Sequence, residues 1–65
     1  MVKEISLVRI KLLTKWINDI AEEIVNNKSL TDEDLTILLM SIKDLISDID
    51  KEILIILREN SQNKK

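Results

Sequence analysis

Apolar residues recur along this chain in alternating steps of three and four, in two separate segments. The first line is Ile10, Leu13, Ile17, Ile20 and Ile24. The second line is Leu35, Leu38, Ile42, Leu45, Ile49 and Ile56, interrupted once at Glu52 and widened by Leu39, Ile46 and Ile53. Such spacing brings side chains to one side of an α-helix. We therefore expect a first helix over about residues 2–26 and a second over about residues 32–59.

The segment between the two lines carries the signals of a tight turn over residues 27–31. Thr31 precedes three acidic residues, an arrangement typical of a helix N-cap in which Asp34 reaches back to the Thr31 amide. Asn26 and Asn27 are suited to ending the first helix, because asparagine tolerates the left-handed backbone conformation. The pattern predicts an all-α protein, a two-helix antiparallel hairpin forming one domain over residues 1–60. Residues 61–65 are expected to be a flexible polar tail.

The apolar surface is wider than one hairpin can cover. Ile5, Val8, Leu12 and Trp16 form a second line on the first helix, so the first half of that helix is apolar around most of its circumference. This excess predicts that two hairpins dimerise into a four-helix bundle, or that the hairpin docks on another protein. The expected interface consists of residues near the open end of the hairpin: Leu7, Val8, Arg9, Leu12, Trp16, Leu54 and Ile55.

Charged residues suggest how the helices align. An antiparallel arrangement places Lys15 beside Asp44 and Lys11 beside Asp48, so we expect ion pairs between the helices. Arg9 lies inside the apolar stripe and has two interpretations. Either its side chain extends to a carboxylate of the second helix, Asp48 or Glu52, or it binds a carboxylate or phosphate of a partner.

Composition argues against most catalytic chemistry. The chain has no cysteine, histidine or glycine, so it offers no disulfide, no zinc-type ligand set and no glycine-rich phosphate loop. We expect no enzyme activity, no cofactor and no metal site. No apolar run approaches the roughly 20 residues that a membrane span needs, and no signal peptide is evident, so a cytoplasmic protein without membrane contact is expected.

Nucleic acid is a weak candidate partner, because the formal net charge is −2. The best set of contacts for it would be four basic residues of the first helix: Lys3, Arg9, Lys11 and Lys15.

Two family resemblances bear on function. The succession of helix, short acidic turn, helix and polar tail resembles the Rop family of plasmid copy-number regulators, which implies a dimeric hairpin that binds paired RNA loops. Leu30-Thr31-Asp32 followed by Leu45-Ile46 is similar to the small sporulation aspartyl-phosphate phosphatases. Leu39 and Lys43 stand where that family has its signature Ser and Asp. That second resemblance therefore implies binding to a response regulator without phosphatase action.

The sequence thus favours a small non-enzymatic interaction or regulatory protein that acts through an apolar helix interface. The alternatives are a Rop-like nucleic-acid-binding regulator and a response-regulator-binding relative of the phosphatases.

Overall fold

Two helices account for nearly the whole chain. The computed structural model describes residues 2–63, in which α1 (Val2–Asn26) and α2 (Asp32–Asn63) pack against each other as a hairpin. The molecule measures 54 × 15 × 12 Å. The predicted all-α hairpin is confirmed, and α2 begins at Asp32, directly after Thr31.

The N-terminus of α2 is capped by a reciprocal pair of hydrogen bonds. The Asp34 amide donates to Thr31 Oγ1 at 3.1 Å, and the Thr31 amide donates to Asp34 Oδ2 at 3.3 Å. This is the predicted capping box with aspartate in place of glutamate, and it satisfies backbone donors that have no partner inside the helix. The acidic first turn also faces the positive end of the helix dipole.

The end of α1 differs from the expectation of a left-handed asparagine. Within residues 2–63, no residue has a positive φ. Instead, the Asn27 side chain donates to Glu23 Oε2 at 2.8 Å and accepts from the Ser29 amide at 2.9 Å. Asparagine ends this helix through its side-chain amide, which turns the chain without the left-handed backbone.

The end of α2 also differs from the prediction. The helix continues past residue 59 to Asn63, so residues 61–63 are helical rather than a flexible tail. No proline or glycine follows Glu59 to stop the helix, and polar residues can extend it into solvent at little cost. Residues 64 and 65, also predicted to belong to the tail, lie outside the described residues.

Thr31→Ala tests the capping box. Removing the hydroxyl leaves the Asp34 amide without its acceptor, and we expect the free energy of unfolding to fall by about 1 kcal/mol. Chemical denaturation followed by circular dichroism measures this loss. Thr36→Ala is the matched control, because the Thr36 hydroxyl only donates to the Asp32 carbonyl, which the helix already engages. Equal losses in the two variants would contradict a capping role for Thr31.

Candidate protein interface

Each helix turns one line of side chains toward the other, and we call these residues the seam. On α1 the seam is Ser6, Ile10, Leu13, Ile17, Ile20 and Ile24, and Asn27 continues the line directly after the helix. On α2 it is Leu35, Leu38, Ile42, Leu45, Ile49, Glu52, Ile56 and Glu59. All are at least half-buried, and the steps of three and four run unbroken through both helices. The seam therefore includes Glu52, the position at which the apolar line is interrupted.

Burial in this seam is shallow. Among the described residues, the only fully buried side chain is that of Ser6, which is 2% exposed, and no hydrophobic side chain reaches the same depth. A serine is small enough to let the start of α1 lie close to α2, because the distance between packed helices depends on the side chains at the contact. The hairpin thus has a line of contact rather than an enclosed core.

Glu52 is a charged group inside the seam. Its side chain is only 14% exposed, and its Oε2 lies 3.5 Å from Nη1 of Arg9. Arg9 thus pairs with one of the two carboxylates predicted for it, while its own side chain stays 61% exposed. The other oxygen, Glu52 Oε1, is buried with no hydrogen-bond partner.

The two predicted ion pairs between the helices are wrong. Lys15 donates to Asp19 of its own helix at 3.2 Å, and Asp48 lies 4.0 Å from Lys51 of its own helix. Side chains three or four residues apart on one helix lie close together, so Lys15 and Lys51 each pair with a carboxylate of their own helix. Alignment of the helices therefore depends on the apolar seam and on the pair of Arg9 and Glu52.

Much apolar surface remains outside the seam. Within residues 2–63, thirteen large hydrophobic side chains are exposed, from Ile53 at 40% to Val25 at 70%. Scattered exposed aliphatics are ordinary on a protein surface, but here they outnumber the apolar residues of either half of the seam. Their arrangement on the hairpin decides what they can bind.

One side of the hairpin carries an open groove of about 280 Å³. Its lining residues are Arg9, Leu12, Leu13, Trp16, Asp48, Lys51 and Glu52. Five of these directly precede a seam residue, and we call this side the Trp16 face: Arg9, Leu12, Trp16, Asp48 and Lys51. It combines an aromatic ring and a leucine with charges of both signs, so it is amphipathic rather than apolar.

The opposite side carries residues that directly follow a seam residue. The groove shows that residues preceding the seam on both helices share one side of the hairpin, so residues following it share the other side. The residues that follow every second seam position lie nearest the seam on this side, and we call them the Ile46 face: Leu7, Thr14 and Ala21 on α1, with Leu39, Ile46 and Ile53 on α2. The residues that follow the other seam positions, among them Lys11, Lys43 and Asp50, lie farther around each helix and border this face. The spacing is seven residues on each helix, and none of the six is charged.

The predicted interface residues fall on several surfaces. Four lie on or beside the Trp16 face: Arg9, Leu12, Trp16 and the half-buried Ile55. Leu7 belongs to the Ile46 face and is 49% exposed. Val8 and Leu54, at 58% and 51%, lie about 200° around their helices from seam residues Ser6 and Glu52 and point outward. The hairpin therefore does not gather these seven residues into a single patch.

The basic residues of α1 are likewise divided. Lys3, Lys11 and Lys15 are exposed, but Arg9 lies about 200° around the helix from Lys11 and is engaged by Glu52. Lys15 is engaged by Asp19. The four residues considered for nucleic acid therefore do not form one basic stripe on a single hairpin.

The interface predicted from the sequence omits most of the Ile46 face. The apolar pattern assigns Leu39, Ile46 and Ile53 to a widening of the seam, and it does not single out Thr14 and Ala21 because they are not strongly apolar. The sequence signal for the Ile46 face is that uncharged residues recur every seven positions on both helices, each directly after every second seam residue.

No helix within residues 2–63 has the length and hydrophobicity needed to cross a membrane. The same part of the chain holds no cluster of three or more metal-ligating side chains. Comparison with protein-family models, with curated proteins and with solved structures finds no match for this chain.

Proposed function

We propose that this protein is a non-enzymatic association module whose exposed apolar side chains are covered by another protein chain, with self-association into a four-helix bundle as its basic form. The observation that carries the proposal is the absence of any fully buried hydrophobic side chain among the described residues, beside thirteen large ones that are 40–70% exposed. Burial of apolar surface is the main favourable contribution to the free energy of folding. In the lone hairpin much of the apolar surface stays exposed to water, so much of that contribution is not gained.

The shape of the hairpin supports the same proposal. Its radius of gyration is 15.5 Å, against about 11 Å for a compact domain of this length. Small domains that lack disulfides and metals commonly gain stability by oligomerising. This chain has no cysteine and no histidine, which agrees with association as the source of additional stability.

In the proposed mechanism the protein acts by occupancy: a helix face docks against the apolar surface of its partner and excludes other binders from it. The resemblance to dimeric copy-number regulators agrees with the proposed bundle. Nucleic-acid binding is less well supported, because Arg9 and Lys15 are each paired with a carboxylate of the hairpin.

Equilibrium sedimentation combined with thermal unfolding tests the proposal. We expect a mass of twice the 7.6 kDa chain or more, and a melting temperature that rises with protein concentration because association stabilises the folded state. A folded monomer whose melting temperature is independent of concentration would refute self-association. Binding to a nucleic acid with a steep loss of affinity in salt would favour the alternative regulator.

A further inference from the structure

We infer that the Ile46 face is the contact between two copies of this chain, and that the copies pair with their turns at the same end. This inference rests on the proposed self-association and adds which surface forms it and in which orientation. The seam positions together with the residues of the Ile46 face give each helix an apolar surface of three positions in every seven. That is the pattern of a helix in a bundle, whereas a simple two-helix contact needs only two in seven.

The Ile46 face can be desolvated at little cost. Four of its six residues are large aliphatic residues whose side chains are between 40% and 51% exposed: Leu7, Leu39, Ile46 and Ile53. Thr14 is its only polar side chain, and its hydroxyl already donates to the Ile10 carbonyl at 2.7 Å. The Thr14 methyl group can therefore be covered without leaving a buried donor unsatisfied. The Trp16 face would instead bury Arg9 and Asp48, which lie about as near the seam as the residues of the Ile46 face do and whose desolvation opposes binding.

The amount of exposed surface fits a second copy. The chain exposes 5433 Å², about 1,100 Å² more than expected for a compact monomer of its mass. A stable interface covers roughly 800 Å² on each partner. One contact of standard size would thus remove most of the excess.

Residue size decides the orientation. On α1 the Ile46 face narrows from Leu7 to Thr14 and Ala21, whereas α2 presents large residues throughout. A twofold axis parallel to the helices stacks α1 of one copy on α2 of the other, so that small residues meet large ones and both turns lie at one end. A twofold axis across the helices would stack α2 on α2, placing Ile46 against its own copy and leaving Thr14 facing Thr14. Complementary packing favours the first arrangement.

Charge placed on each face tests which surface is used. Ile46→Glu should raise the dissociation constant of the dimer by a hundredfold or more, on the order expected for two unpaired carboxylates buried per dimer. Leu12→Glu, on the Trp16 face, is matched in exposure, 46% against 48% for Ile46, and should change the constant by less than about threefold. Sedimentation equilibrium measures both. Dissociation by Leu12→Glu with retention by Ile46→Glu would overturn the inference.

A distance measurement tests orientation without substituting any of the residues that define the two faces. The chain has no cysteine, so Lys28→Cys in the turn accepts a single spin label. With both turns at one end, the labels should lie on the order of 20 Å apart, because packed helices are about 8–10 Å apart. A distance approaching the 54 Å long axis would overturn this orientation.

The outcomes separate the two proposals. If the unsubstituted chain is a folded monomer, both the proposed self-association and this inference are wrong. If the chain assembles but Ile46→Glu assembles equally well, or the turn labels lie far apart, only the inference about the surface and orientation fails.

Discussion

Replacing Ile17 with aspartate should unfold the chain. Ile17 is a half-buried residue at the middle of the α1 seam, and the seam of α2 contains no lysine or arginine. A carboxylate at this position therefore has no cation across the seam to pair with, and an unpaired buried charge costs several kcal/mol. A single small core rarely contributes more than about 3–5 kcal/mol of net stability. The expected loss therefore equals or exceeds what holds the hairpin together.

Far-UV circular dichroism and sedimentation should show the loss of helix and of assembly together. Ile37→Asp is the matched control, because it makes the same replacement on α2 at a side chain that is 63% exposed. We expect that control to keep its helicity, since exposed substitutions usually change stability by less than about 0.5 kcal/mol. Full helicity in Ile17→Asp would show that the seam is assigned to the wrong side of α1.

Replacing Glu52 with leucine should have the opposite effect and stabilise the protein. Glu52 is the only acidic seam residue flanked on both sides by apolar seam residues, and its buried Oε1 has no hydrogen-bond partner. Leucine would continue the apolar line and remove the cost of burying a carboxylate. Arg9 can lose its partner at little cost, because it is 61% exposed and remains solvated. We expect the free energy of unfolding to rise by about 1–3 kcal/mol.

Chemical denaturation measures this gain, with Arg9→Ala as the complementary variant. Arg9→Ala leaves the Glu52 carboxylate in the seam without its cation, so we expect it to destabilise the protein while Glu52→Leu stabilises it. A loss of stability in Glu52→Leu would mean that the ion pair contributes more than it costs. Glu52 would then be retained for stability rather than for fixing the alignment of α1 with α2.

The helices and the turn could be predicted because their causes are local. The steps of three and four fix which side of each helix is apolar, and the Thr31 hydroxyl with the Asp34 carboxylate fixes the start of α2 within one turn of chain. The ends of the helices were harder to predict. Asn27 has two ways of ending a helix, by left-handed backbone or by its side-chain amide, and the sequence alone does not distinguish them.

The sequence by itself determined that this protein is a pair of amphipathic helices with more apolar surface than one helix contact can cover. Only the tertiary structure decided how that surface is divided. Packing along the seam buried Glu52 beside Arg9, turned Val8 and Leu54 outward, and separated the charged Trp16 face from the uncharged Ile46 face. The physical reason is that helical periodicity fixes a residue's direction around its own helix, whereas which directions share a surface depends on how the second helix lies against the first.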